Sequence, residues 1–446
     1  MIGRVQVKEI LDYALDQKAG CELECSLVLE NSALTRFAGG QVHQNVAEES
    51  AALTVRAVAG KRSATVLATS FDRDSISGTV RAAIENARHS PEPASRAPLP
   101  GPQAYASVET YDPATGECSP SQRVANARAM IDAVEARGIE AYGSVETQAV
   151  ETAVANTSGL YAYAPSSSCS AVVATIGQGA YGHAEAASRK MGDIDFAALG
   201  LEAAERCERA RDAQSIPAGR YDVILLEYAV ADIMQFLSSA GFGATAYREG
   251  RSFMTGMLGK KVLGDNITIW DDGLDPAGMP IPFDMEGMPK RRLDLVTGGV
   301  ARGIAYDVAE GFKACAPSTG HAFPSGTFQP GPVPINVFLK PGLATLDAMI
   351  ASTETGLLVT RFHYTRAVDP KRVVITGMTR DGTFLVKNGG VACAVRNLRF
   401  TESYVDAMSR VEMISADTRV LGGRAGACVV PALKIGQFNF TGVTEF

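Results

Sequence analysis

The amino-acid sequence predicts an α+β protein of two domains: an N-terminal domain of helix-plus-antiparallel-meander units and a strand-rich C-terminal domain with few helices. Three observations support this fold class. The 446 residues exceed the roughly 150 of one typical domain and allow a sizeable core. The 44 glycines and 21 prolines, with only 7% aromatic residues, indicate many turns and disfavour a helical bundle. In the first half, helical and alternating hydrophobic patterns occur twice in the same order.

The first unit starts with a predicted helix over residues 5–18, whose apolar side chains form one stripe. Alternation then predicts strands at 22–29, 35–45 and 51–58, and Ala59-Gly60 predicts a hairpin into 61–69. Asp74 or Ser75 is the expected cap of the next helix. Closely spaced prolines predict an extended connector over 90–105.

The second unit repeats this order. Ser119 and Pro120 predict the start of a helix that ends near Gly138, and alternating segments follow at 139–155, 160–164 and 171–176. A helix at 196–211 and the break at Pro217 close the first domain, so the expected domains are 1–215 and 218–446. In the second domain we predict a helix at 227–240 and strands at 221–226, 333–339, 372–379, 382–387 and 391–400.

Charge and cysteine content narrow the partners and the compartment. Lys and Arg number 42 against 49 Asp and Glu, a formal net charge of −7, so no basic excess predicts nucleic-acid binding. The N-terminus lacks the apolar core of a secretory signal, and no charge-free apolar run reaches the roughly 18 residues that span a bilayer. The eight cysteines include no CxxC pair, which favours reduced thiols. We therefore expect a cytoplasmic protein with neither nucleic acid nor membrane as partner.

Several common catalytic patterns are missing from the sequence. The five histidines are widely dispersed, which excludes a helical HExxH zinc pair but not a site assembled from distant loops. No GxGxxG or GxxxxGK[ST] turn supports nucleotide binding, and no GxSxG or SxxK serine stands in a suitable setting. His183-Ala184-Glu185 matches the HxE of zinc deaminases without its PCxxC partner, so we interpret His183 as a surface strand residue.

The chain carries a series of weak motifs in a specific order. In the second half they are Glu249-Gly250-Arg251-Ser252, Asp271-Asp272-Gly273, the segment PFDMEGMP at 282–289, Pro317-Ser318-Thr319-Gly320, and 334–341. In the first half LTRFAGG at 34–40 is followed by Gln44. This order resembles the TldD/PmbA (TldE) family, the modulator-of-gyrase and microcin-processing proteins, over nearly the whole chain. The resemblance implies a two-domain protein that dimerises around a cavity to which unfolded peptides are admitted.

The resemblance also implies where a metal site would lie. In the TldD branch a helix bearing HExxxH and a cysteine near the C-terminus hold zinc, and the glutamate activates a metal-bound water. Here that motif falls on QFLSSA at 235–240, so the degenerate metal-site positions are Gln235, Phe236, Ser239 and, in the segment 422–429, Cys428. One thiolate does not hold catalytic zinc without imidazole partners. The chain therefore resembles the metal-free PmbA/TldE branch, with no metal or cofactor of its own and zinc expected in a TldD-like partner. We expect Phe236, Leu237 and Ala240 to fill the volume of the metal.

Polar loop residues are the candidates for a substrate cleft, namely Arg251, Ser318, Thr319, Gly320 and His321. For the polar loop clusters, a role in turns or caps is the favoured interpretation. His321 is either a cleft residue that bonds a peptide carbonyl or titrates near neutral pH, or a solvent-exposed loop histidine. Asp271 and Asp272 point to opposite faces of an extended segment, which disfavours a shared-proton pair. No catalytic residue is assigned.

Three functions are compatible with these features. The first is a TldE/PmbA-like subunit of a zinc metallopeptidase acting on unfolded or modified peptides, itself non-catalytic, which shapes the substrate chamber with a TldD-like partner as a heterodimer. The second is a metal-independent hydrolase or biosynthetic enzyme that acts as a homodimer, with His321 or Cys393 replacing the metal. The third is a non-catalytic peptide-binding protein.

Overall fold

The computed structural model describes residues 1–323, 331–423 and 426–444. Over these residues the chain forms a sheet of six strands and a sheet of eleven, with few helices beside the second, which confirms the α+β class. The helices are α1 (Arg4–Leu15), α2 (Arg73–His89), α3 (Pro113–Gly116), α4 (Pro120–Glu135), α5 (Phe196–Arg209), α6 (Glu227–Gly241), α7 (Ala244–Arg248), α8 (Val308–Lys313), α9 (Leu346–Ala351) and α10 (Tyr404–Met408). Within the described ranges, no helix is long and apolar enough to cross a membrane.

The strands of the two sheets differ widely in length. The first sheet contains β1 (Glu22–Ala38), β2 (Gln41–Ala59), β3 (Arg62–Ala68), β4 (Glu140–Asn156), β5 (Tyr161–Gly177) and β6 (Ala180–Ser188). The second contains β7 (Gly219–Leu225), β8 (Ile269–Asp271), β9 (Leu293–Thr297), β10 (Val300–Ala301), β11 (Asn336–Leu339), β12 (Thr355–Asp369), β13 (Val374–Lys387), β14 (Gly390–Ala394), β15 (Leu398–Ser403), β16 (Val411–Gly423) and β17 (Gly426–Val443).

The first sheet is antiparallel throughout, in the order β3-β2-β1-β4-β5-β6. Its central pair is β1 with β4, in register from Glu24 opposite Asn156 to Phe37 opposite Gly143. The two helix-plus-meander units predicted from the sequence therefore share one sheet. The domain boundaries at 215 and 218 stay a prediction.

Helices cover one face of the first sheet. Alternate side chains of β1, such as Leu23, Cys25 and Leu27, are buried with α1 and α2, and those of β4 and β5 are buried with α4 and α5. Because side chains alternate along a strand, the even-numbered residues of β1 project from the opposite face. That face packs on the C-terminal part of the chain around Leu160 and Phe283.

Strand lengths in the first sheet differ from the prediction. β1 is continuous from Glu22 to Ala38, because residues 30–34 are only partly buried on both faces and so lack a clear hydrophobic alternation. The strand predicted over 35–45 is wrong, since it crosses the turn at Gly39 and Gly40, whose φ angles are 55° and 75°. The cap of α2 is Asp72, which accepts the N–H of Ser75, and not Asp74 or Ser75. The predicted cap of α4 by Ser119 is confirmed.

The second sheet has the order β10-β9-β8-β11-β17-β15-β13-β12-β7, with β14 on β13 and β16 on β17. Its organising strand is β17, which pairs with β7, β11, β15 and β16. Two predicted strands merge into β13, and the segment 391–400 divides into β14 and β15. Helix α6 packs on this sheet in the largest buried cluster of the molecule.

Candidate functional site

A cleft of about 450 Å³ lies between the first sheet and the C-terminal part of the chain. Its floor is the strand pair β4–β5, where Val150, Gln148 and Glu146 stand opposite Ser166, Ser168 and Ser170. Its other wall contains Met279, Pro280, Ile281, Ile335, Gly422, Gly426 and Ala427. We call this space the cleft.

The polar floor of the cleft follows from strand alternation. Cys169 and Ala171 point to the helices and are fully buried. Ser166, Ser168 and Ser170, which alternate with the helix-facing residues of β5, therefore face the cleft. The same rows continue across the sheet, with Ser32 of β1 between Gln148 of β4 and Glu48 of β2. One face of the sheet is therefore apolar and covered by helices, and the other is polar where it borders the cleft.

Opposite charges flank β5 in the cleft. Arg189, which follows β6, has a side chain only 10% exposed; its Nη2 donates to Glu109 at 2.9 Å, while its buried Nη1 has no acceptor among the described residues. On the other side Glu146 accepts a hydrogen bond from Gln148 at 2.9 Å. Burial, together with the charges of Glu146 and Glu48, raises the pKa of Glu30 on β1. The floor thus runs from an acidic side at β1, β2 and β4 to a basic side at Arg189.

A smaller cavity of about 120 Å³ adjoins the cleft, and Gly422 lines both. Helix α6 forms one wall with Tyr228, Ala231, Asp232 and Gln235, which share a face because they recur at helical spacing. His183, Glu185, Arg361 and Phe362 complete the lining. We call this space the helix cavity. His183 is 6% exposed, so the interpretation as a surface residue is wrong, because its ring packs edge-on against Tyr228.

Asp232 is the carboxyl group of α6 in the helix cavity. Its two oxygens accept hydrogen bonds from Thr365 at 2.8 Å and from Tyr404 at 2.7 Å. Burial raises the pKa of Asp232 to about 6, against the lowering effect of these two donors. With one oxygen bonded to Thr365 of β12 and the other to Tyr404 of α10, Asp232 fixes α6 to both elements.

A charged network ties the helix cavity to the first sheet. Glu202 of α5 accepts hydrogen bonds from the Tyr228 hydroxyl at 2.9 Å and from Arg419 of β16 at 3.0 Å, and it pairs with Arg206 at 2.7 Å. Both guanidinium groups lie 5.1 Å from the centre of the Tyr228 ring. Burial acts to raise the pKa of Glu202, but the two arginines hold it below its ordinary value. The carboxylate is therefore charged and joins three elements.

The residues at the expected metal position do not fit zinc. Gln235 lines the helix cavity, Phe236 packs edge-on against Tyr404, Leu237 is fully buried, and the Ser239 hydroxyl bonds the carbonyl of Phe236 at 3.4 Å. Among the residues that the structure describes, no three His, Cys, Asp or Glu side chains are grouped to hold an ion. In the described part of the chain, these side chains therefore supply no ligand set for zinc.

Cys428, the predicted position of a third zinc ligand, is not among the described residues that line the helix cavity. It sits in β17 opposite Leu421 and beside Val337, within the large buried cluster, and burial raises the pKa of its thiol to about 12. Gly422, the partner of Ala427 in the same pair of strands, lines the helix cavity together with Gln235. The assignment of Cys428 to a degenerate metal-site position stays a prediction, and residues 424–425 lie outside the described ranges.

The predicted cleft candidates lie apart from the two cavities. In the described chain, the residues lining the cleft and the helix cavity do not include Arg251, Ser318, Thr319, Gly320 or His321. The Arg251 side chain is half exposed and pairs with Glu249 at 2.5 Å. Ser318 donates to the carbonyl of Tyr306 and accepts the N–H of Gly320, whose φ is 76°. The segment 317–321 therefore forms a loop held by its own hydrogen bonds.

That loop is fastened by a buried polar chain. His321 is 1% exposed, which corrects the alternative of a solvent-exposed histidine. Its Nδ1 lies 2.9 Å from Thr319 Oγ1 and its Nε2 lies 2.9 Å from Asp271 Oδ1. The other oxygen of Asp271 accepts the N–H groups of Ile335 and Asn336, and the buried Lys290 Nζ lies 4.0 Å from Oδ1.

The charges in this chain follow from burial and neighbours. Burial acts to raise the pKa of Asp271, but Lys290 and His321 hold it below its ordinary value. Burial and the Lys290 ammonium lower the pKa of His321. The imidazole is therefore neutral at pH 7, donates from Nε2 to the Asp271 carboxylate, and accepts at Nδ1 from the Thr319 hydroxyl.

A cluster of carboxyl groups lies where the first sheet meets the loop before β9. Glu24 of β1 lies 3.3 Å from Arg56 of β2, and Glu286 lies 3.9 Å from the same guanidinium. Asp284 accepts N–H bonds from Glu286, Met288 and Ala322. Burial raises the pKa of Asp284 to about 6 and, with the charges of Asp284 and Glu24, raises the pKa of Glu286 to about 8.

Several residues that line the two cavities were not predicted from the sequence. Arg189 and Glu146 sit in segments whose patterns indicate only a strand or its end. Tyr228 and Asp232 precede the predicted Gln235 by seven and three residues, a helical spacing that could have identified one polar face of α6. β4 and β5 line the cleft because the first sheet packs against the C-terminal part of the chain. No local sequence pattern predicts that packing.

Comparison with known proteins gives matches along most of the chain. Residues 24–87 match the PmbA/TldA metallopeptidase domain 1, residues 114–211 the central domain, and residues 218–442 the C-terminal domain. The metalloprotease PmbA of Escherichia coli O157:H7 is 24% identical, over 96% of this chain and 95% of its own length. A metalloprotease of Methanothermobacter thermautotrophicus is 25% identical over 52% of this chain. A TldD homologue of Buchnera aphidicola is 27% identical over 41%. The chain spans about half, or less, of the length of these last two relatives.

Solved structures show the same fold. TldE from Thermococcus kodakarensis superposes with a TM-score of 0.87 at 17% sequence identity, covering 98% of this chain and 100% of that one. A protein of Thermotoga maritima described as a candidate modulator of a DNA gyrase superposes with a TM-score of 0.86 at 18% identity, with the same coverage. With three successive domain matches and this shared architecture, the chain belongs to the PmbA/TldD family of metallopeptidase-related proteins.

Proposed function

We propose that this chain is the metal-free subunit of a zinc peptidase, which holds an unfolded peptide in its cleft while a TldD-like partner supplies the zinc. The observation that carries the proposal is the face of α6. Where the metal-bearing branch is expected to place its ligands, Gln235 faces the helix cavity and Phe236 packs on Tyr404. The position adjoining the cleft thus has amide and aromatic groups in place of a ligand set.

The cleft has properties suited to an extended peptide. Its volume of about 450 Å³ is within the range of small-ligand sites. Ser166, Ser168 and Ser170 recur every second residue, a spacing of about 6.8 Å that equals the two-residue repeat of an extended chain. Each hydroxyl therefore meets a peptide group at the same phase, whatever the side chains of the substrate. Such binding suits substrates that share an unfolded backbone and no sequence.

The free state of the cysteines supports the cytoplasmic location that is part of this proposal. All eight cysteines are unpaired. Reduced thiols are the rule in the cytoplasm, where we place the complex.

The experiment is a reconstitution with a purified TldD-like protein. We expect the two chains to co-elute, the mixture to hydrolyse an unstructured peptide, and metal analysis to assign zinc to the partner alone. Stoichiometric zinc in this chain by itself would overturn the proposal. Hydrolysis by this chain alone in the presence of a chelator would favour the metal-independent hydrolase, and peptide binding without any complex or turnover would favour the peptide-binding protein.

A further inference from the structure

The floor of the cleft has a charge separation that peptide backbone binding does not need. Glu146 lies on β4 and Arg189 just beyond β6, so β5 with its serines runs between them. Two strand spacings of about 4.8 Å across the sheet, and an offset of about two residues along the strands, place the two backbones roughly 12 Å apart. A ligand lying across β5 therefore meets a carboxylate at one end and a guanidinium at the other.

The basic end has unused hydrogen-bonding capacity. Glu109 is shared by Arg189 at 2.9 Å and Lys190 at 3.3 Å, so two cations face one carboxylate that is itself 69% exposed. The Arg189 side chain is nine-tenths buried, and its Nη1 has no acceptor in the described part of the chain. A buried guanidinium N–H without an acceptor is unfavourable, and a carboxylate is the group that matches two guanidinium donors.

The acidic end has the opposite excess. Glu146 stands opposite Leu34 on β1, and Glu30 and Glu48 occupy neighbouring rows of the same polar face. The pKa of Glu30 is raised by its burial and by the charges of Glu146 and Glu48, as expected where acidic groups are close together. An ammonium group at this end would relieve that repulsion.

We infer that the cleft binds the free ends of a short peptide, with the α-carboxylate on Arg189 and the α-ammonium towards Glu146. An extended peptide spans about 3.4 Å per residue, so a separation of roughly 12 Å corresponds to three to four residues. Such a peptide crosses β5 diagonally instead of running along it, so Ser170 and Ser168, the serines of β5 nearest to the two charged residues, lie beneath its middle. This inference rests on the proposed role in peptide binding and adds that the ligand is recognised by its termini.

Titration calorimetry on the chain without any partner tests the inference. The probes are Ala-Ala-Ala, its C-terminal amide and its N-acetyl derivative. We expect the free tripeptide to bind at least tenfold more tightly than either blocked form. No binding of the free tripeptide, or equal binding of all three, would overturn the inference. Because no partner is present, the result is independent of whether a peptidase complex forms.

Two variants assign the ends. Arg189→Gln should lower affinity for the free tripeptide at least tenfold and abolish the preference over the amide, whereas Glu146→Gln should abolish the preference over the N-acetyl form. Arg128→Gln, on α4 at the opposite face of the sheet, should leave both preferences intact. If Arg189→Gln proves unfolded by circular dichroism, Arg189→Lys, which keeps the charge and loses the fork, should retain part of the carboxylate preference. An equal loss for all three peptides in any folded Arg189 variant would overturn the assignment.

Discussion

His321 and Asp271 form a hydrogen bond of 2.9 Å between Nε2 and Oδ1, with neither side chain exposed to solvent. Together with Thr319 they form a hydrogen-bonded series Thr–His–Asp, the same arrangement of side chains as in the catalytic triad of hydrolases. The Thr319 hydroxyl, however, accepts the N–H of Tyr306 at 2.7 Å and lies 3.1 Å from the Tyr306 carbonyl. The three side chains therefore bind the loop to β8, and we assign them a structural role.

Replacing this histidine tests that assignment. His321→Ala leaves the buried Asp271 carboxylate without its imidazole donor, so we expect a loss of about 2 kcal/mol or more in the free energy of unfolding. Urea denaturation measures the change, and His43→Ala, at an exposed position of β2, is the control. A stable His321→Ala protein that loses a metal-independent hydrolysis would instead support a catalytic histidine.

The carboxyl cluster predicts a pH dependence of stability. The pKa of Glu286 is raised from its ordinary 4.5 to about 8, so the folded protein holds this proton more tightly than the unfolded chain does. Its stabilising contribution is complete below about pH 4.5 and is lost as the pH rises to about 8. Asp284, with a pKa of about 6, acts in the same direction at lower pH.

Glu286→Gln should therefore raise the melting temperature at pH 8.5 and flatten its decline between pH 5.5 and 8.5. The amide keeps an oxygen to accept the Val308 N–H, a bond of 2.8 Å in the native protein. Glu9→Gln, on the exposed side of α1, should change neither. An unaltered pH profile for Glu286→Gln would show that this carboxyl does not hold the proton.

The network around Glu202 predicts a loss of stability on truncation. Glu202→Ala leaves Arg206 and Arg419 close together without their carboxylate, so we expect a loss of about 3 kcal/mol, by analogy with broken buried ion pairs. Calorimetric melting is the measurement. Glu205→Ala, one turn along on the exposed side of α5, should stay within about 0.5 kcal/mol of the native protein.

A substitution at Gly422 tests whether the cleft and the helix cavity are used. A Cβ built at Gly422 meets no described atom within 4 Å, so Gly422→Leu should fold normally and project into the space that the two cavities share. We expect at least a tenfold loss of peptide affinity, about 1.4 kcal/mol, with little change in melting temperature. Gly442→Leu, also in open space but on β17, is the matched control. Equal peptide binding by both variants would place the binding surface elsewhere.

Local sequence signals predicted the five longest helices, α1, α2, α4, α5 and α6, and the first hairpins, but not the five short helices or the arrangement of the sheets. The cap at Ser119 and the hairpin at Ala59-Gly60 depend on a few adjacent residues and are confirmed. The pairing of β1 with β4 depends on which surfaces of two separate units match, so a pattern read along the chain does not contain it. The continuity of β1 was not predicted, because the hydrophobic alternation is interrupted at residues 30–34.

The site was the least predictable part of the molecule. Motif order led to the right family and to Gln235 and Phe236 on α6, because a helix preserves spacing. It did not indicate that Cys428 is buried in the large cluster or that His321 is buried against Asp271 and Lys290, because both depend on contacts between distant segments. Arg189 and Glu146 became neighbours of one cleft only through strand pairing.

The long reach of β17 has a consequence for how the protein acquires its structure during synthesis. Gly219 at the start of β7 pairs with Phe440 near the end of the chain. The second sheet is therefore of high contact order: β17 is synthesised after all the strands with which it pairs, and until then the apolar surfaces of β7 and α6 stay uncovered. The first sheet closes once β6 has been made, so the two halves reach their native state at different times, and truncations near the C-terminus should spare only the earlier half.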